Sequence, residues 1–137
     1  MLRLRVRVER ADGGRAVELV AIANSGFVSP EPEVLLPFSI AERLALGEVA
    51  EPEVARKALG DGSEAVLLRY RDTAKVYVVE EDRVEGPVQA HVLASPRALY
   101  PLLNDKLLGR MRIVLLDFAE GTWCFRDELG RRERKSW

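Results

Sequence analysis

Leu2, Leu4, Val6 and Val8 alternate with Arg3, Arg5, Arg7 and Glu9, and this period of two constrains the chain more than any other feature. Successive side chains on an extended backbone point to opposite faces, so the stretch predicts a strand with one face buried and one wet. Asp12-Gly13-Gly14 predicts a turn, and Arg15 to Ala23 predicts the returning arm of a hairpin. The later half of that arm, Val20 to Ala23, is apolar on both faces, which directs it into the core. It delivers Asn24-Ser25-Gly26, a tight uncharged turn, to the interior.

The 137 residues, 47% hydrophobic and 31% charged, suit one compact domain with a core of its own. With 21 basic and 22 acidic residues mixed along the chain, no global field draws it to nucleic acid or to an anionic membrane. No apolar run approaches the roughly 18 residues that span a bilayer, and the alternating N-terminal stretch is unlike a signal-peptide core. A cytoplasmic location is expected. Cys124 is the only cysteine, so neither an internal disulfide nor a cysteine metal site is expected, and no cofactor or metal is assigned. Gln89, Asn24 and Asn104 are the only amide side chains beside a heavy load of Glu and Arg, a thermophilic leaning that draws attention to the two asparagines.

Further along, Val34-Leu35-Leu36 predicts a short strand. A helix follows from about Ile40 to Leu46, with Ser39 and Glu42 at capping-box spacing and Gly47 at the left-handed C-terminal position. Pro52 to Leu59, with Val54/Ala58 and Ala55/Leu59 four apart, predicts a second short helix. Ala65 to Tyr70, a polar turn at Arg71-Asp72-Thr73, and Ala74 to Val79 predict a hairpin. Pro87 to Leu93 predicts a strand, and Ser95-Pro96 a single helical turn. Leu102-Leu103-Asn104 leads into a helix from Asp105 to about Arg110 with Asn104 as its N-cap. Ile113 to Leu116 and Thr122 to Phe125 predict two last strands about a turn at Glu120-Gly121. Residues 1–126 form the expected domain, and 127–137 a charged, solvated, fraying tail. Strands dominate, and the order suggests two stacked hairpin layers rather than a crossover fold.

The hairpin that ends in AIANSGF, the short strand LLP with its helix, and PLLND before a small helix and IVLLD together resemble the retropepsin-like aspartic peptidases, over most of residues 1–126. The resemblance implies a mainly β, closed barrel or sandwich with short helices, assembled as a homodimer in which two subunits complete one site. Each subunit of that family contributes Asp-Thr-Gly or Asp-Ser-Gly, and a second motif of two apolar residues and Gly precedes the C-terminal helix. On this chain Asn24 stands for the aspartate, Ser25 for the hydroxyl residue and Gly26 for the glycine. Leu102, Leu103 and Asn104 stand for the second motif, with Asn for Gly. Tyr70, Arg71, Asp72 and Thr73 match the place of the flap tip that closes over a bound peptide; an exposed hairpin tip is the plainer reading.

The first departure removes the chemistry. Two close carboxylates share one proton, so one acts as acid and the other as base on the attacking water. A carboxamide orients a water but neither takes nor returns its proton near neutrality. The sequence therefore reads as an inactive, dimeric module with an extended peptide as its possible ligand. Two alternatives stay open: an active peptidase, through another carboxylate or deamidation of Asn24, and a structural β domain unrelated to peptidases. His91 and Cys124 lack a third orienting group and are not read as base and nucleophile. Arg131, Arg132, Arg134 and Lys135 read as solubilising rather than as a nucleic-acid contact.

Overall fold

A computed structural model describes residues 1–23, 26–58 and 61–137. Strand β1 (Arg3–Arg10) pairs antiparallel with β2 (Ala16–Ala23), from Arg3↔Ile22 to Glu9↔Ala16. The alternation read from sequence sets the faces: Leu4, Val6 and Val8 are fully buried, while the arginines between them reach toward solvent. Next come β3 (Glu33–Pro37) and α1 (Phe38–Leu44), then β4 (Glu53–Ala58), β5 (Glu64–Val79) and β6 (Val84–Ser95). The two-residue β7 (Leu102–Leu103), α2 (Asp105–Arg110), and the hairpin of β8 (Ile113–Asp117) and β9 (Thr122–Phe125) complete the order.

The sheet runs β1-β2-β7-β3-β6-β5-β4, and a further ladder from β1 to β5 closes it on itself, leaving β4 outside the ring. The fold is thus mainly β with a mixed, closed sheet. Parallel pairings of β2 with β7 and of β3 with β6 require crossover connections, so the expectation of hairpin layers without crossovers does not hold. One core fills the ring, from Leu4, Val6 and Val8 through Val34, Leu36, Val76 and Val92 to Leu103, Leu107, Trp123 and Phe125.

Four local expectations are corrected. Residues 53–58 form a strand, not a helix: Ala55 turns inward against Leu67, and Lys57 reaches the buried Glu33, contacts that only a period of two supplies. Tyr70 to Thr73 is no hairpin tip, because β5 runs unbroken through it. Helix α1 begins at Phe38 without a side-chain cap, and it ends at Ala45, not Gly47, in the left-handed conformation with φ 47. There the guanidinium of the buried Arg10 donates to the carbonyls of Leu44 and Ala45, satisfying the helix end from β1. Strand β6 continues to Ser95 and no helical turn follows it.

The tail also differs from expectation. Residues 126–128 form a turn of 3-10 helix, and Arg134 and Trp123 exchange backbone hydrogen bonds. Arg134, 4% exposed, donates to Glu128, Asp82 and Glu80 and lies over the rings of Trp123 and Phe125. Arg83 covers Phe125 at 4.1 Å and grips Asp127. Trp137 bonds back to Arg3 and Glu80. Of the basic residues that read as solvated, Arg134, with Arg132 on Asp82 at the surface, straps the last segment to the barrel, while Arg131 and Lys135 are exposed as expected.

Replacing Arg134 leaves the largely buried Glu80 without its cation and Glu128 with only Arg83 at 3.8 Å, so Arg134→Ala is expected to cost about 2–3 kcal/mol in denaturant unfolding. Acid should release the same strap. Hydrogen bonds from Arg134 hold Asp82 and Glu128, and those from Arg83 hold Asp127, below the usual carboxylate range. Their folded pKa values lie under the unfolded ones, so this stabilisation is complete above about pH 5 and fades as pH falls through the depressed values. The only two tryptophans are Trp123, in the core beneath Arg134, and Trp137, in the strap itself. Their fluorescence should change on acidification before the far-ultraviolet signal of the barrel is lost.

Candidate functional site

Strand β2 ends at Ala23, and β7 lies against that end. Ile22 pairs with Leu102 and Ala23 with Leu103, while the other edge of β7 pairs with Val34 and Leu35 of β3. A strand from late in the chain is thereby inserted between two that are consecutive in sequence. Leu103 is fully buried, as the two-edged pairing demands.

Asn104, the next residue, has no exposed surface, and both ends of its carboxamide are bonded. Its Oδ1 accepts from the amides of Glu33 at 2.9 Å and Leu107 at 3.0 Å, and its Nδ2 donates to the Glu31 carbonyl at 2.8 Å. It caps α2 as the sequence predicts and also ties α2 to the entry of β3. Asp105 N donates to Phe27 O, so the chain on both sides of residues 24–26 is fixed to the same short segment, through Ala23 and Phe27. Glycine in place of Asn104 would make none of the side-chain bonds. Asn24 and Ser25 themselves lie outside the described residues; Gly26 is exposed in a turn.

The structure thus brings Leu102, Leu103 and Asn104 beside the strand that leads to Asn24. Tyr70 is three strands away along the row Leu103, Val34, Val92, Tyr70. It lines an apolar groove of about 330 Å³ with Phe38, Ala41, Leu46, Leu68 and Ala94. A different hairpin stands over the segment after Gly26. β4 and β5, joined through residues 59–63, rest Ala55, Leu67 and Ala65 on Phe27, Leu35 and Leu93 in a second apolar cluster. Lys57 lies 5.4 Å over the Phe27 ring and donates to Glu33 at 3.0 Å.

A polar cluster that sequence reasoning missed adjoins this contact. Glu33 is 1% exposed, with Lys57 on one oxygen and Arg69 Nε 3.3 Å from the other. Glu31 accepts from His91 at 2.6 Å, which holds its carboxyl below the usual range. Both ring nitrogens of His91 are engaged, with Glu31 and with the Asp72 amide. Cys124 is buried, and burial pushes its thiol pKa up, away from a reactive thiolate. No signal in the sequence distinguishes Glu31 or Glu33 from solvated acids. Among the described residues no cluster of three or more His, Cys, Asp or Glu side chains is arranged to hold a metal, and no helix is long and apolar enough to cross a membrane.

Chemically, the segment 22–28, Ile-Ala-Asn-Ser-Gly-Phe-Val, carries no ionisable side chain. The nearby carboxylates of Glu31 and Glu33 are already bound to cations or to His91. Such a segment can orient a backbone or a water but carries no general base of its own. No protein-family model matches the chain, and no curated protein matches it.

Asn104→Ala should remove the α2 cap and leave the amides of Glu33 and Leu107 without their acceptor. A loss of about 2–4 kcal/mol in chemical denaturation is expected, against well under 1 kcal/mol for the exposed Lys106→Ala.

Proposed function

We propose that the chain is a degenerate retropepsin-like aspartic peptidase domain, without catalytic activity, that acts as a dimeric peptide-binding or assembly module. The observation that carries the reading is the insertion of Leu102-Leu103 between β2 and β3. It puts the second apolar motif next to a β2 terminus that leads to Asn-Ser-Gly, where the family places its aspartate. The closed, mainly β sheet agrees with that likeness.

The surface around this end supports assembly with a second copy. The three most exposed large apolar side chains among the described residues are Leu99 at 82%, Phe118 at 70% and Val28 at 67%. Each is linked to the segment by a short run of chain: Leu99 lies two residues before Pro101, and Phe118 is bonded to Met1, the residue before Leu2. Pro101 O accepts from Ile22 N and Leu2 O from Ala23 N; Met1 N donates to Phe118 O, and Val28 follows Phe27. Tyr100 and Met1 are exposed beside them. Apolar side chains gathered at one end mark an interface more often than an isolated one does. In the proposed dimer, residues 24–26 of two copies meet there, and the β4–β5 hairpin, not residues 70–73, is the element placed to cover an extended peptide.

Sedimentation should show a dimer, and Leu99→Glu with Phe118→Glu should weaken it by about 30-fold or more while the circular dichroism stays native. A monomer at every concentration would remove the reading. Purified protein should not cleave peptide libraries at any pH. Asn24→Asp, which restores a carboxylate at both subunits, should raise acidic cleavage at least about 10²-fold above that background. Cleavage by the unaltered chain that disappears in Asn24→Ala would instead establish an active peptidase.

A further inference from the structure

Strand β5 changes partners at one place. Glu64 to Arg69 pairs with β4 in the hairpin, and Ala74 to Val78 pairs with β1 to close the barrel. Between these stretches the register on β6 steps from Tyr70↔Val92 to Ala74↔Ala90, so Arg71, Asp72 and Thr73 stand opposite His91 alone. Asp72 has φ 53, a left-handed conformation uncommon outside glycine. The bond that holds it runs from Asp72 N to Nδ1 of His91 at 2.9 Å. A backbone N–H only donates, so Nδ1 carries no proton, and Nε2 carries the ring hydrogen and gives it to Glu31 at 2.6 Å. His91 is 4% exposed, and neither nitrogen has capacity to spare.

We propose that His91 is a proton-operated pin at the joint between barrel and hairpin: the neutral ring fixes the β5 bulge, and the protonated ring releases it and frees the β4–β5 hairpin to move. The second proton can enter only at Nδ1, where it would point at the Asp72 N–H. Two donors then face each other, and the bond that fixes the bulge is lost. Asp72 Oδ1, 3.7 Å from Nδ1, is the acceptor left to the imidazolium, and reaching it requires the bulge to turn. Imidazole is the side chain that ordinarily changes charge between about pH 5 and 8.

The charges facing the ring come from four elements. Glu31, in the loop before β3, and Asp72, on β5, favour the imidazolium. Arg71 on β5 and Arg110 on α2 act on Glu31 and oppose it. Glu33 of β3 and Arg69 of β5 share the cavity beside Glu31 and His91 and offset one another. Glu31, held below the usual carboxylate range by His91, remains ionised and bonded to Nε2 in both states. Among the described residues, the bond lost is the only side-chain hydrogen bond from the 71–73 joint to β6. The hairpin keeps its ladder to β6 at Leu68↔Ala94 and Arg69↔Leu93 and its Lys57–Glu33 pair, so release of the bulge loosens arms 53–58 and 64–69 about those contacts without detaching them. The pin is independent of any peptidase ancestry.

Hydrogen exchange of the full chain at about pH 7.5 and about pH 5, with rates corrected for intrinsic chemistry, tests it. Amides in 53–58 and 64–72 should exchange about tenfold faster at the lower pH, while β1 and β2 keep their protection. His91→Gln offers a carboxamide oxygen to the Asp72 amide but cannot gain charge, so it should abolish the response. Glu31→Gln and Asp72→Asn each remove a carboxylate that favours the imidazolium and should move the midpoint to lower pH; asparagine tolerates the left-handed backbone at position 72. Hairpin protection that is independent of pH in the unaltered chain overturns the proposal, and so does a response that survives His91→Gln. If His91→Gln does not fold, Asp72→Asn decides, and an unmoved midpoint overturns the proposal.

Discussion

The ladder between β1 and β5 is the contact on which the other elements depend. It turns an open sheet into a ring, and a ring has an inside that apolar side chains from every member can share. β1 is paired on both edges and fully buried on one face, so its four-fold alternation of Leu or Val with charge is used completely. β5 keeps β6 on one edge and changes from β4 to β1 on the other. The bulge at 71–73 is what allows a single strand to do both, since an extra loop of backbone re-aims the strand without ending it.

Within the ring, the short β7 and Asn104 settle the neighbourhood of residues 24–26. Two residues of strand provide few ladder bonds, and the buried carboxamide supplies the rest by joining α2, the β3 entry and the preceding loop. The same neighbourhood carries the Phe27 ring under Lys57 and the hairpin. Geometry and chemistry diverge here: the surroundings of residues 24–26 are built in detail, while that segment carries no side chain that exchanges a proton near neutrality.

Much of this was legible in the sequence where local and tertiary signals agree. β1, β2, β3, α2, β8 and β9 follow from alternation, caps and turns, and Asn104 announces itself as an N-cap. Residues 53–58 were not legible, because Val54/Ala58 spacing suits a helix as well, and only the distant Glu33 and Leu67 decide for a strand. Arg71-Asp72-Thr73 has the composition of a turn; that it is a bulge depends on His91 from another strand. The tail misled for a similar reason, since an arginine reads as solvated until Glu128, Asp82 and two aromatic rings are known to enclose it. Of the candidate site, the two tripeptides were visible as letters. The cluster of Glu31, Glu33, Lys57, Arg69 and His91 was not, because ion pairs between remote positions leave no periodic trace.

The inserted strand also closes a long stretch of chain. Leu102-Leu103 meets β2 some eighty positions back along the chain, and a pair of residues cannot offset the loss of chain freedom that such a closure entails until both walls of its slot exist. Its place is held by the strands on either side and by the Asn104 carboxamide rather than by its own length, so the neighbourhood of residues 24–26 rests on partners remote in sequence.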